Sequence, residues 1–178
     1  MKRESNKLTA AATWGLLAAW ALHDTEEVVM VPRWVRTHVP ELRERFPRVP
    51  ETVWRRLESV DAREFGTAVA AMAVVLAAAC ADGHRTGGRS AVYQTALNAF
   101  GLHGLVHLTQ AAAMRGYTPG SVTTPLVVLP FPLWARGRLR RSGVLRPTRP
   151  RDLAQGLAFA AVAAVGTHTL AQGVLRRR

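Results

Sequence analysis

Four stretches of this chain contain no Asp, Glu, Lys or Arg: Phe65–Ala81, Ser90–Met114, Gly116–Ala135 and Leu153–Leu175, of 17, 25, 20 and 23 residues. A helix needs about 17 to 25 mostly apolar residues to cross the hydrocarbon of a bilayer. Helices of water-soluble folds rarely stay uncharged on every face for that length. Four such runs in 178 residues predict a single membrane domain, residues 1–178, with an all-α fold: a polytopic integral membrane helical bundle. With the apolar stretch near the N-terminus, the expectation is about five transmembrane helices, at about 8–31, 65–81, 90–114, 121–135 and 152–175. Pro32, which has no backbone donor, is the expected stop of the first. The segment 33–64 is charged and broken by Pro40, Pro47 and Pro50, so it reads as short amphipathic helices in the membrane interface, such as Glu51–Leu57.

Charge distribution narrows the partners. The formal net charge is +12, but the basic residues fall between the apolar runs, as the loops of a membrane protein require. No aromatic-and-basic module accompanies them, which sets nucleic acid aside and leaves the lipid bilayer as the expected partner. Cys80 is the single cysteine, so no intramolecular disulfide forms and redox compartment is unreadable. Met1–Leu22 puts basic residues before an apolar run but offers no clean small-residue cleavage site, and is read as an uncleaved first helix rather than a signal peptide. Across five spans the two sides carry equal numbers of Lys and Arg. The acid-free stretch Arg136–Arg151, with its seven Arg, points to a cytoplasmic N-terminus.

The first helix contains chemistry that an apolar segment does not carry idly. His23-Asp24-Thr25-Glu26-Glu27 lies between the apolar approach Leu8–Leu22 and the apolar exit Val28–Val31. A carboxylate taken out of water protonates, pairs or binds a metal. Helical spacing of i, i+3 and i+4 puts His23, Glu26 and Glu27 on one face and turns Asp24 and Thr25 away. The nearest understood pattern is H-x-x-E-H, whose outer residues hold zinc and whose Glu is the general base; here Glu27 takes the place of the second His. The plainer reading pairs these acids with the Arg-rich segment that follows.

Further imidazoles come from the charge-free run 90–114, where His103 and His107 are spaced i, i+4 and Gln110 falls on nearly the same face. Asn98 points the opposite way, toward a neighbouring helix. Simple hydrogen bonding across the bundle is the plainer reading for either histidine alone. If five spans alternate in direction, the first, third and fifth run parallel. His23, His107 and His168 then lie 15, 17 and 16 residues into them, about 22 to 26 Å at 1.5 Å per residue. All three reach one depth. The turn Arg115-Gly116-Tyr117-Thr118-Pro119-Gly120 closes that end, Pro119 fixing one φ and Gly120 permitting a left-handed one, so that Tyr117 is held at the membrane edge.

His23-Asp24-Thr25-Glu26-Glu27, together with His107 and, ten residues on, Tyr117-Thr118-Pro119-Gly120, resembles the ordered motifs of the HXXEE-domain membrane proteins. The likeness covers Leu8–Trp134. It implies a small bacterial integral membrane protein of the cell membrane, and it supplies no mechanism. His103 and His168 lie outside its motifs and enter on spacing alone.

These residues predict a metal-dependent membrane hydrolase acting on a lipid or peptide at the bilayer edge. His23, Glu27 and His107 are the expected ligands, with His103 or His168 completing or orienting the shell. Glu26 is the expected base toward water, and Tyr117 the expected donor to a developing oxyanion. Zinc suits mixed His and Glu ligation, with iron or manganese as alternatives. The competing reading is non-catalytic: a proton- or ion-coupled carrier, or a partner subunit, that uses the same groups as a buried relay.

Overall fold

The computed structural model describes residues 2–59 and 61–147, together with residues 151, 154, 158, 162, 166 and 173. The described fold is all-helical. Helix α1 (Lys2–Arg45) is its longest element, about 66 Å at 1.5 Å per residue. Ala12, Leu16, Ala19 and His23 are buried along it at intervals of four, three and four residues, so one stripe of the helix faces the core. Helix α3 (Ala62–Arg85) packs most broadly against α1 and runs back beside it, bringing His84 near Trp14.

Helix α4 (Ala91–Met114) returns parallel to α1. Tyr93 near its start donates its hydroxyl to the Ala12 carbonyl, and His107 near its end lies beside His23, ring centroids 4.9 Å apart. Ser90 caps α4 by accepting from the Tyr93 N–H at 3.1 Å. Arg115, left-handed at φ 53°, ends it, and the Gly116 N–H reaches the Ala111 carbonyl at 3.2 Å.

Pro32 does not end α1, contrary to the expectation from its missing donor. The helix runs through Pro32 and Pro40 to Arg45. A proline inside a helix costs about 3 kcal/mol, and tertiary contacts offset it here. Val35 and Val39 are buried with Trp54 of α2 (Glu51–Glu58). Trp34 Nε1 donates to the Tyr117 carbonyl at 3.1 Å, and Arg45 donates to the Ala113 carbonyl at 3.2 Å. The segment 33–64, expected as separate interfacial helices, therefore divides among the end of α1, the short α2 and the first residues of α3.

The run 121–135, expected as a short span kinked or partly unwound by Pro125, Pro130 and Pro132, is a turn, a five-residue π-helical segment (Thr124–Val128) and the start of α5 (Pro130–Arg141). Pro125 and Pro130 have no N–H and interrupt the ordinary ladder. The Leu129 N–H reaches back five residues to the Thr124 carbonyl at 3.0 Å. This segment lies directly on α4 because Gly104 has no side chain: a Cβ there would meet Val128 Cγ1 at 2.9 Å. The expected fifth span falls largely outside the described residues, and His168 wholly so.

Among the described residues, α3 is the one helix long and apolar enough to cross a bilayer. Helix α4 is free of charged residues but carries Gln94, Asn98, His103, His107 and Gln110, which lower its apolar character.

Candidate metal centre

Two core stripes end in imidazoles. On α1 the stripe through Leu16 and Ala19 continues to His23, and on α4 the stripe through Leu97, Phe100 and Gly104 continues to His107; both histidines are buried. The next turn of α1 supplies Glu27. Its Oε2 lies 3.8 Å from His23 Nε2 and 3.9 Å from His103 Nε2, and its Oε1 lies 3.4 Å from His107 Nε2. His103 Nε2 and His107 Nε2 are 2.8 Å apart. The four donors of His23, Glu27, His103 and His107 all lie within 4.8 Å of one another.

The four pairwise separations from 2.8 to 3.9 Å fall around the spacing of about 3.3 Å between donors placed tetrahedrally at about 2 Å from a metal. His23 Nε2 is buried with no hydrogen-bond partner, an arrangement that is costly unless something occupies its lone pair or accepts its proton. The cluster opens to one side: the His103 side chain is 42% exposed, against 14% or less for the other three.

Glu26 faces elsewhere. Its Oε1 accepts from the Tyr117 hydroxyl at 2.9 Å and from the Gly120 N–H at 3.1 Å. Its Oε2 accepts from the Thr123 N–H at 2.9 Å and from the Thr123 hydroxyl at 2.7 Å. The single face expected for His23, Glu26 and Glu27 therefore splits, because one residue step turns a helix side chain by about 100°. Glu27 joins the imidazoles, while Glu26 fastens the 117–123 turn to α1. Tyr117 directs its hydroxyl at Glu26 and not at the imidazoles. Burial, the hydrogen bond to Glu26 and the charges of Glu26 and Glu27 raise that hydroxyl above its ordinary pKa, which keeps it a donor. Among the described residues, Glu27 pairs with imidazoles rather than with Arg33 or Arg36.

The turn that Glu26 holds also seals the cluster. Gly120 has φ +83°, and a Cβ on it would fall 2.6 Å from His107 Cε1 and 2.8 Å from His23 Cε1. Its absent side chain lets the backbone lie against both rings. Thr123, which no spacing in the sequence singles out, places its hydroxyl 2.7 Å from His23 Nδ1. Asp24, expected to turn away, is buried with its Oδ2 unpartnered. Asn98 accepts from Arg136 of α5, consistent with its place off the histidine face.

Over residues 14–135 the sequence matches a family described as "Protein of unknown function with HXXEE motif". That region contains all four residues of the cluster and the whole turn. No curated protein and no solved structure matches the chain.

Proposed function

The chain belongs to the HXXEE family, and we propose that it is an integral membrane protein of several spans whose HXXEE helix carries a divalent-metal centre for hydrolysis. One observation carries the reading: three imidazoles and one carboxylate have their donors within 4.8 Å, with His23 Nε2 buried and unpartnered among them. Mixed imidazole and carboxylate ligation favours zinc, with iron or manganese as the alternatives. The membrane part is supported by α3 and by the charge-free α4, since a long uncharged helix suits the apolar interior of a bilayer.

His23, Glu27 and His107 hold the metal from the buried side, which leaves the open side for substrate. Bound there, a divalent metal supplies Lewis acidity and makes water nucleophilic near neutral pH. His103 is the most exposed member of the cluster, so it is the group suited to take and return a proton. Glu26, with four donors on its carboxylate, positions the turn and leaves the base role to His103. The substrate is a lipid or peptide bond presented from the bilayer edge.

A second reading rests on a different observation. The half-exposed His103, its 2.8 Å contact with His107 and the neighbouring Glu27 form a chain of titratable groups leading inward, as a proton- or ion-coupled carrier requires. Metal analysis of the purified chain, followed by hydrolysis assays on ester- and amide-linked amphiphiles, separates the two. Stoichiometric metal with chelator-sensitive turnover supports the hydrolase. A chain without metal supports the carrier.

A further inference from the structure

The Thr123 hydroxyl lies 2.7 Å from His23 Nδ1 and 2.7 Å from Glu26 Oε2. A hydroxyl has one proton to donate and lone pairs with which to accept. Both oxygens of Glu26 already accept backbone N–H groups, from Gly120 and Thr123, which is the pattern of an ionised, acceptor-only carboxylate. The Thr123 proton therefore goes to Glu26; its other contact, to the Gly120 carbonyl at 3.4 Å, is too long to compete. A Thr123 lone pair then faces His23 Nδ1. That contact is a hydrogen bond only when Nδ1 carries the ring proton.

We infer that Thr123, oriented by Glu26, holds His23 in the Nδ1–H tautomer and so leaves the Nε2 lone pair directed into the pocket of Glu27, His103 and His107. The opposite tautomer fails on two counts. It places an Nε2–H donor 3.8 Å from the Glu27 carboxylate, beyond hydrogen-bond range. It also asks the single Thr123 proton to serve both Nδ1 and Glu26. A histidine that ligates a metal is oriented in the same way, through a partner on its other ring nitrogen that fixes the tautomer. Thr123 is thus a positioning residue, reached from a carboxylate through a hydroxyl. The tautomer stands on hydrogen-bond accounting alone, and its consequence for metal affinity rests on the metal-centre reading.

The test uses the full chain with isotope-labelled histidine, stripped of metal by chelator and read by nitrogen NMR, with the His23 signals assigned by their loss in His23→Gln. The wild type is expected to show a protonated Nδ1 and a bare Nε2, and Thr123→Ser to retain both. Thr123→Val, close in size but without the hydroxyl, is expected to lose the tautomer preference and to bind zinc about 10- to 100-fold more weakly, with Thr123→Ser restoring the affinity. An Nε2–H or doubly protonated His23 in the wild type overturns the inference, as does an unchanged tautomer in Thr123→Val. Should Thr123→Val fail to fold, the wild-type and Thr123→Ser spectra decide. A chain that binds no zinc but shows the Nδ1–H tautomer upholds the inference and overturns the metal-centre reading alone.

Discussion

Gly120 lies so close to His107 that a β-carbon on it would come within 2.6 Å of the imidazole Cε1. The turn is therefore a wall of the cluster, built from backbone because no side chain fits. Gly120→Ala adds a methyl group both against two rings and at φ +83°. The expected cost is about 1 to 3 kcal/mol of stability, accompanied by weaker metal binding. Thermal unfolding with and without chelator measures both, and an unperturbed variant would count against this packing.

The two adjacent glutamates separate by role. Glu27→Gln removes the carboxylate shared by the three imidazoles, and metal content is expected to fall to background. Glu26→Gln leaves those contacts intact but turns an amide N–H₂ toward the donors of Tyr117, Gly120 and Thr123. It is expected to keep the metal at full stoichiometry, though at weaker affinity because a carboxylate no longer orients Thr123, and to lose about 2 kcal/mol of stability. Metal analysis of the two variants side by side checks this, and the reverse pattern would exchange the assignments.

Tyr117→Phe deletes one of the four donors on Glu26 without touching the cluster. A partly exposed hydrogen bond to a carboxylate is expected to contribute about 1 kcal/mol, seen as a small drop in the denaturation midpoint with metal content unchanged. Loss of metal in this variant would place the phenol in the ligand set.

His103 and His107 differ in exposure, 42% against 6%, and that difference sets their expected roles. His107→Ala removes a buried ligand and is expected to abolish binding. His103→Ala is expected to bind zinc more weakly but at full stoichiometry, and to lose turnover on any substrate the wild type cleaves. Zinc titration calorimetry distinguishes them; equal, complete loss from both would make His103 a permanent ligand.

Much of the cluster was legible in the sequence because helical periodicity is local. The i, i+4 spacings of His23 with Glu27 and of His103 with His107 required only that each segment be a helix, and the common depth of His23 and His107 followed from counting residues. The orientation of Glu26 was not legible, since a residue at i+3 can lean toward either neighbour and its partners lie more than ninety positions away in the chain. Thr123 was missed for the same reason. The continuation of α1 past Pro32 was hidden because contacts from Trp34, Val35 and Val39 outweigh a local propensity. The π-helical segment could be read only as an interruption, since its register depends on how Pro125 and Pro130 share the remaining donors.

The central claim is that His23, Glu27 and His107 hold a metal ion beside His103, and elemental analysis of the purified chain beside His23→Ala tests it most directly. A ligand set of this kind predicts about one zinc per wild-type chain and none in the variant, with the helical circular dichroism of both alike. A wild-type chain that stays free of metal after zinc loading, or a His23→Ala chain that retains the wild-type content, would contradict it.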